Sequence, residues 1–355
     1  MFHKILVVGL GDLAERIVTR LATAGGVELV LAGRRPEVAA ALARFASSLG
    51  DIAARGVPLD ALDRAQVAEL VARERPALIV QCAALVSPWA LGGREDAAAV
   101  ALRAAGFALQ LCAQLPCVAA VTAAARDAGH AGPIVNCSYP DLTHPVLHRS
   151  GVAPDVGIGN AGMVQALARA ALGHAEREAP LRVVAHHFHV GAVARSDAAL
   201  LGGLPLPRIF AGDREVDAAP LLFGHAPIAL DRRLNELTAM HAATLIRAML
   251  PGGAPLLTAA PGPLGLHGGW PVRIEHGRVD LDLPAGAVPS DLAAGLARAA
   301  RGDGVERIEE DGTVVFTAQA QDRLWHVCRE LALPLAPSDA LARARVLRDL
   351  IAIRP

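Results

Sequence analysis

The chain has 355 residues, of which 53% are hydrophobic, only 3% aromatic and 19% charged, and its formal net charge is −1. That length exceeds the usual single core and predicts two domains, while a near-neutral chain without a basic block or acidic tail excludes the charge signature of nucleic-acid or anionic-membrane binding. The five cysteines make no CxxC pair and no even framework, so they read as buried free thiols of a reducing compartment, the cytoplasm.

Met1-Phe2-His3-Lys4 leads at once into an apolar run and a glycine, too short for a signal peptide. Residues 5–8 read as a strand, 12–24 as a helix, 28–32 as a second strand and 36–49 as an Ala-rich helix. A weak third strand over 57–60 precedes a helix over 64–75, and 77–81 is a strong fourth strand. Helix resumes near Arg94 and runs to about Gly129, followed by a strand over 133–137. Residues 104–125 carry no charge, roughly the length of a membrane span. Gln110, Gln114 and Pro116, and alanine in place of leucine, make that stretch a buried crossover helix broken near Pro116, so no membrane partner is expected. Short apolar strands alternating with helices predict a parallel sheet covered on both faces.

The pattern changes after about Ser150. A long strand is expected over 181–190, a helix over 234–250 stopped by Pro251-Gly252-Gly253, and antiparallel strands over 270–274, 277–281 and 313–316. A helical block closes the chain from 318 to 351. The predicted fold is therefore α/β, a Rossmann parallel sheet over 1–150 followed by an α+β catalytic domain with antiparallel strands over 151–355.

Gly9-Leu10-Gly11-Asp12-Leu13-Ala14 lies after an apolar strand and before a helix. Glycines there let the backbone turn sharply and approach a pyrophosphate, and the helix start offers free N–H groups. The second strand ends in Gly33-Arg34-Arg35, with no Asp or Glu to hold a ribose 2′-hydroxyl, and two guanidiniums suit a 2′-phosphate instead. The expected cofactor is NADP(H), held by Gly9, Gly11, Asp12, Leu13, Ala14, Gly33, Arg34 and Arg35. Ala83, Ala84 and Asn136, at the ends of the fourth and fifth strands, complete that set.

From residue 76 to about 159 the order of elements resembles lactate and malate dehydrogenases. The matching features are residues 81–84, Arg94 on a loop, Pro116, Asn136 with Pro140-Asp141, Ser150-Gly151 and Gly157-Ile158-Gly159. The chain start is also similar to saccharopine and opine dehydrogenase-like proteins. The first resemblance implies a catalytic histidine in Ala185-His186-His187-Phe188-His189, with His187 aligning best, and a substrate-closing role for Arg94. Strand alternation would put His187 and His189 on one face and His186 on the other. The family's orienting aspartate and carboxylate-clamping arginine follow its Gly-x-Gly, where this chain reads Asn160-Ala161-Gly162-Met163 and has neither, which leaves Asp141 or Asn160 to orient the histidine.

The leading expectation is an NADP(H)-dependent dehydrogenase or reductase acting on a small carbonyl, imine or alcohol. His187, His189, Asp141 and Arg94 are its candidate catalytic residues, and no metal is assigned. A metal-dependent hydrolase or lyase using the histidines, and a non-catalytic NADP(H) sensor, are the alternatives. The residues leave open the substrate, the direction of reaction, homo-oligomerisation, and which of His186, His187 and His189 acts.

Overall fold

The computed structural model describes residues 2–173 and 179–352. Strand and helix alternate through the first half: β1 (His3–Val8), α1 (Asp12–Ala24), β2 (Val27–Gly33), α2 (Pro36–Leu49), β3 (Ala53–Pro58), α3 (Arg64–Glu74) and β4 (Leu78–Gln81). Then come α4 (Ala97–Ala105), α5 (Leu111–Asp127), β5 (Ile134–Asn136), α6 (Pro140–His148), β6 (Val156–Gly157) and α7 (Asn160–Ala171). Six parallel strands form one sheet in the order β3-β2-β1-β4-β5-β6. Register runs through pairs such as Val7–Leu31, Val8–Gln81 and Gln81–Asn136.

Successive residues of these strands are all apolar because both faces are covered. Ile5, Val7, Leu29 and Leu31 pack toward α1 and α2, whereas Leu6, Val8, Val30 and Ile79 pack toward α3 and α5. Burying each such side chain contributes roughly 1.5–3 kcal/mol, which sets the register firmly.

The second half holds β7 (Leu181–Val184), α8 (His189–Arg195), β8 (Arg208–Ala211), β9 (Arg214–Val216), α9 (Ala218–Phe223), α10 (Leu234–Met249), β10 (Leu256–Pro261), β11 (Gly269–Glu275) and β12 (Arg278–Leu281). It ends with α11 (Pro289–Ala300), β13 (Val305–Ile308), β14 (Val314–Phe316), α12 (Ala318–Trp325), α13 (Arg329–Ala332) and α14 (Ala340–Ala352). Antiparallel sheets β7-β8-β9 and β10-β11-β12 meet through a bridge between Ala185 and Gly269. α10 returns to the first half, where Leu245, Ile246 and Met249 join the core beneath α1. α14 packs on α4 and α5.

Several boundaries differ from expectation for identifiable reasons. The third strand lies at Ala53–Pro58, earlier than its apolar signal, because an edge strand needs little apolar content. The helix expected over 94–129 breaks at Gly106, with φ of 106°, and Pro116 sits inside α5. From Phe107 onward the uncharged segment is helical and largely buried within the protein, as core helices are. A sixth parallel strand follows position 150, and β8, β9, β10 and β13 were not expected. The strand expected over 181–190 stops at Val184, so the alternating-face argument for the three histidines does not hold.

Candidate active site

The carboxyl ends of β1, β4, β5 and β6 open onto a cavity of about 1210 Å³, at the crevice where strand order reverses from β1 to β4. Gly9 adopts φ of 90°, and a Cβ there would fall 2.4 Å from the Ala83 nitrogen. Only glycine can take that turn and that approach. A Cβ on Gly11, the N-cap of α1, would instead meet nothing within 4 Å. The backbone N–H groups opening α1 have no helical partners and border this space. A glycine-lined cradle with free donors fits the pyrophosphate of a dinucleotide.

Among the sequence-predicted cofactor residues, Gly9, Gly11, Asp12, Leu13, Ala14, Gly33, Arg34, Arg35, Ala83 and Ala84 all border the cavity. Asp12 does so with its side chain turned aside, accepting from Arg16 and from Asn235 Nδ2 at 2.7 Å. Arg34 and Arg35 are exposed and make no ion pair among the described residues. Asn136 departs from expectation. It is fully buried below the cavity, where its amide bonds Ser138 and Thr143 and shapes the turn after β5.

His187 borders the same cavity from the turn between β7 and α8. Its Nδ1 lies 2.7 Å from Asp303 Oδ2, and its backbone N–H donates to Asp141 Oδ1 at 2.9 Å. The Phe107 ring stacks on the imidazole at 4.4 Å between centroids. Tyr139 meets it edge-on and donates its hydroxyl to Asp303 at 2.9 Å. Tyr139 holds φ of 44°, a left-handed backbone for an aromatic residue, at a cost of order 1–3 kcal/mol. Burial and the Asp303 and Asp141 charges push its phenol well above the ordinary range, so it remains a neutral donor.

Burial works against a charged imidazole at His187. The Asp303 carboxylate, its hydrogen bond and the Asp141 charge outweigh that and raise the pKa above its ordinary value. Asp141 is fully buried and pushed up to about 6 by desolvation, opposed by His187 and by Asn160, whose amide donates to it at 2.7 Å. It supports the His187 backbone from beneath, whereas Asp303 engages the ring.

Asp303 was missed in the sequence. It lies 116 positions from His187, inside Arg301-Gly302-Asp303-Gly304, which reads as an ordinary turn. Its flanking glycines are the available signal. A Cβ on Gly302 would strike the Phe188 ring at 2.4 Å, and one on Gly106 would strike the Asp303 carbonyl at 2.3 Å.

His189 and Arg94 do not join the site. His189 Nδ1 accepts from the His186 N–H at 2.9 Å and Nε2 donates to Pro205 at 2.9 Å, so both nitrogens are committed to a buried turn. Arg94 pairs with Asp96 at 2.8 Å and donates to the Ile351 carbonyl, tying its loop to α14 away from the cavity. His186 is fully buried against His267, and burial with neighbouring histidines holds it neutral. No group of three metal-ligating side chains converges among the described residues.

Arg103, Arg195, Arg345 and Arg348 also border the cavity, all exposed and without ion pairs among the described residues. With Arg34 and Arg35 they outnumber the bordering carboxylates Asp12, Asp60 and Asp303. Such a cavity concentrates anions.

No protein-family model and no curated protein matches the chain. Solved structures do. The lactate dehydrogenase of Eimeria maxima, with NADH and oxamate, is similar at a TM-score of 0.53 and 11% identity over 83% of this chain and 91% of that one. The minor L-lactate dehydrogenase of Enterococcus mundtii, in its ligand-bound form, is similar at 0.51 and 14% identity over 84% and 95%. Likeness at such identities is a likeness of fold: a Rossmann sheet followed by antiparallel sheets, in the arrangement of the lactate dehydrogenases.

Proposed function

We propose that the chain is an NADP(H)-dependent oxidoreductase that moves a hydride to or from a small carbonyl, imine or alcohol, with His187 handling the accompanying proton. One observation carries this reading: the His187–Asp303 pair opens onto the same cavity as the Gly9–Gly11 turn. The nicotinamide supplies or accepts the hydride when bound. Asp303 accepts from Nδ1, which leaves Nε2 as the nitrogen for substrate. In reduction the protonated ring gives its Nε2 proton to the substrate oxygen or nitrogen as negative charge develops, and in oxidation the neutral ring takes it back. Tyr139 and Asn160 keep the two carboxylates hydrogen-bonded throughout. Phe107 covers one face of the imidazole and excludes water from it.

Arg34 and Arg35 support the 2′-phosphorylated cofactor, since no carboxylate ends β2 to hold a free ribose hydroxyl. The remaining cavity arginines favour a substrate that carries an anionic group. The stretch Asn160-Ala161-Gly162-Met163 holds no arginine to match the lactate-dehydrogenase clamp, so any such anchor comes from other elements.

Fluorescence titration should find NADPH bound at least about tenfold more tightly than NADH. Equal or tighter NADH binding would remove the arginine argument. On a panel of aldehydes, ketones and imines, His187→Ala should lower kcat by about 10²- to 10⁴-fold while leaving NADPH affinity intact. A wild-type protein that binds NADPH and turns over none of the panel would instead be a nucleotide sensor.

A further inference from the structure

Two thiols meet in the floor of the nucleotide cavity. Cys82 follows β4 and Cys137 follows β5, one step beyond the register pair Gln81–Asn136, and their sulfurs lie 3.3 Å apart. Neighbouring strands run roughly 4.8 Å apart, inside the window of about 4.4–6.8 Å that a disulfide requires between Cα atoms. Bonding at about 2.05 Å asks each sulfur to move by well under an ångström. Both residues are half-buried, border the cavity and are unlinked. The Cys137 thiol is pushed well above its ordinary range by the Cys82 thiol beside it and by burial. Desolvation pushes Cys112 and Cys117 in α5 up to about 12, so what sets the pair apart is the direct contact between its two sulfurs.

The pair is mechanically joined to the glycine turn. Ala83, next to Cys82, is the residue against which Gly9 packs without room for a Cβ. Ser138, next to Cys137, donates its hydroxyl to the Ala83 carbonyl at 3.0 Å, and the Gln81 amide bonds Ala83 from the other side. Drawing the sulfurs together therefore shifts Ala83, and with it the turn at Gly9.

We propose that Cys82 and Cys137 form an oxidative modification site that takes a hydroperoxide, and that closing their disulfide weakens the nucleotide site. One thiolate attacks the peroxide O–O bond, becoming a sulfenic acid as the other oxygen leaves as water or alcohol. The second thiol then attacks that sulfur, the S–S bond forms, and the sulfenic oxygen departs as water. Two thiols are thus oxidised and one peroxide reduced, and a thiol reductant reverses the step. The effect on the nucleotide rests on the reading of the cavity given above, whereas the disulfide does not.

The test treats the full chain with hydrogen peroxide, with and without NADPH, followed by non-reducing peptide mapping and NADPH titration. The expected result is a peptide pair linked through Cys82 and Cys137, slower linkage when NADPH is present, and a Kd raised at least about tenfold and restored by dithiothreitol. Cys82→Ser and Cys137→Ser, made separately, should each bind NADPH equally before and after peroxide. Absence of the link, or oxidation of either sulfur without the other, overturns the modification site. A link that leaves the Kd unchanged overturns the coupling. If the reduced protein binds no NADPH, the nucleotide reading falls and takes the coupling with it, while the peptide map still decides the disulfide.

Discussion

At the scale of single residues, His187 and Asp303 make one unit. The carboxylate raises the imidazole pKa, so under the proposed mechanism the acid form that would serve reduction is present below that pKa and is lost as pH rises through it. Oxidation needs the neutral ring and gains over the same interval. Asp303→Asn removes the charge and keeps an acceptor, so the reductive limb should fall at lower pH and kcat should drop by roughly 10²- to 10⁴-fold. Rates measured in both directions across pH check this, and an unshifted profile would assign the proton to another group. The same pairing contributes stability that is complete below the unfolded histidine value of about 6.5 and fades as pH rises through the raised folded value. Asp141 works in a different window. Its folded value of about 6 exceeds its ordinary 3.8, so its burial costs stability as pH rises from the lower value to the higher. Asp141→Asn should remove that loss, as thermal melts across the acid range would report.

The His187 ring was legible in the sequence as one of three neighbouring histidines, and the structure separates them by what each nitrogen bonds. Asp303 was not legible, because it lies 116 positions from His187 and their pairing depends on the path between them and on glycines that let that path close. Arg94 shows the opposite failure. Its loop position in the order of elements implied a substrate-closing role, yet its guanidinium pairs with Asp96 and donates to the end of α14.

At the scale of elements, periodicity and turn chemistry were read most surely where both faces of a strand are buried. α1 and α2 begin and end as their glycine, proline and apolar spacing predict. The strand expected over 181–190 outruns β7 because Ala185, Phe188 and Val190 keep an apolar thread among the histidines while the backbone is already turning, with the His189 ring accepting from the His186 N–H. β6 has two residues and β9 three, too short for any alternation to register. The turn after β1 gives an element-level prediction. Gly9→Ala adds a Cβ at positive φ and 2.4 Å from Ala83, so it should abolish NADPH binding and lower stability by more than about 1 kcal/mol. Denaturant melts beside the titration separate the two effects, and near-wild-type affinity would mean the turn does not hold the nucleotide.

For the whole molecule, the core beneath α1 joins both halves of the chain. Leu245 of α10 is fully buried among Ile17, Leu21 and the β1–β2 side chains. Asn235 and Glu236 at its start bond Asp12 and Arg16 beside the glycine turn. Leu245→Ala should therefore cost about 2–5 kcal/mol and move a single thermal transition, whereas two separated transitions would show the halves melting independently.

That shared core also fixes an order of events during synthesis. The parallel sheet is written by Gly157, but the helix that completes the cover of its α1 face ends only at Met249. At roughly 5–20 residues per second, a nascent chain carries part of an Ile- and Leu-rich face uncovered for several seconds on the ribosome, a natural interval for a chaperone to occupy.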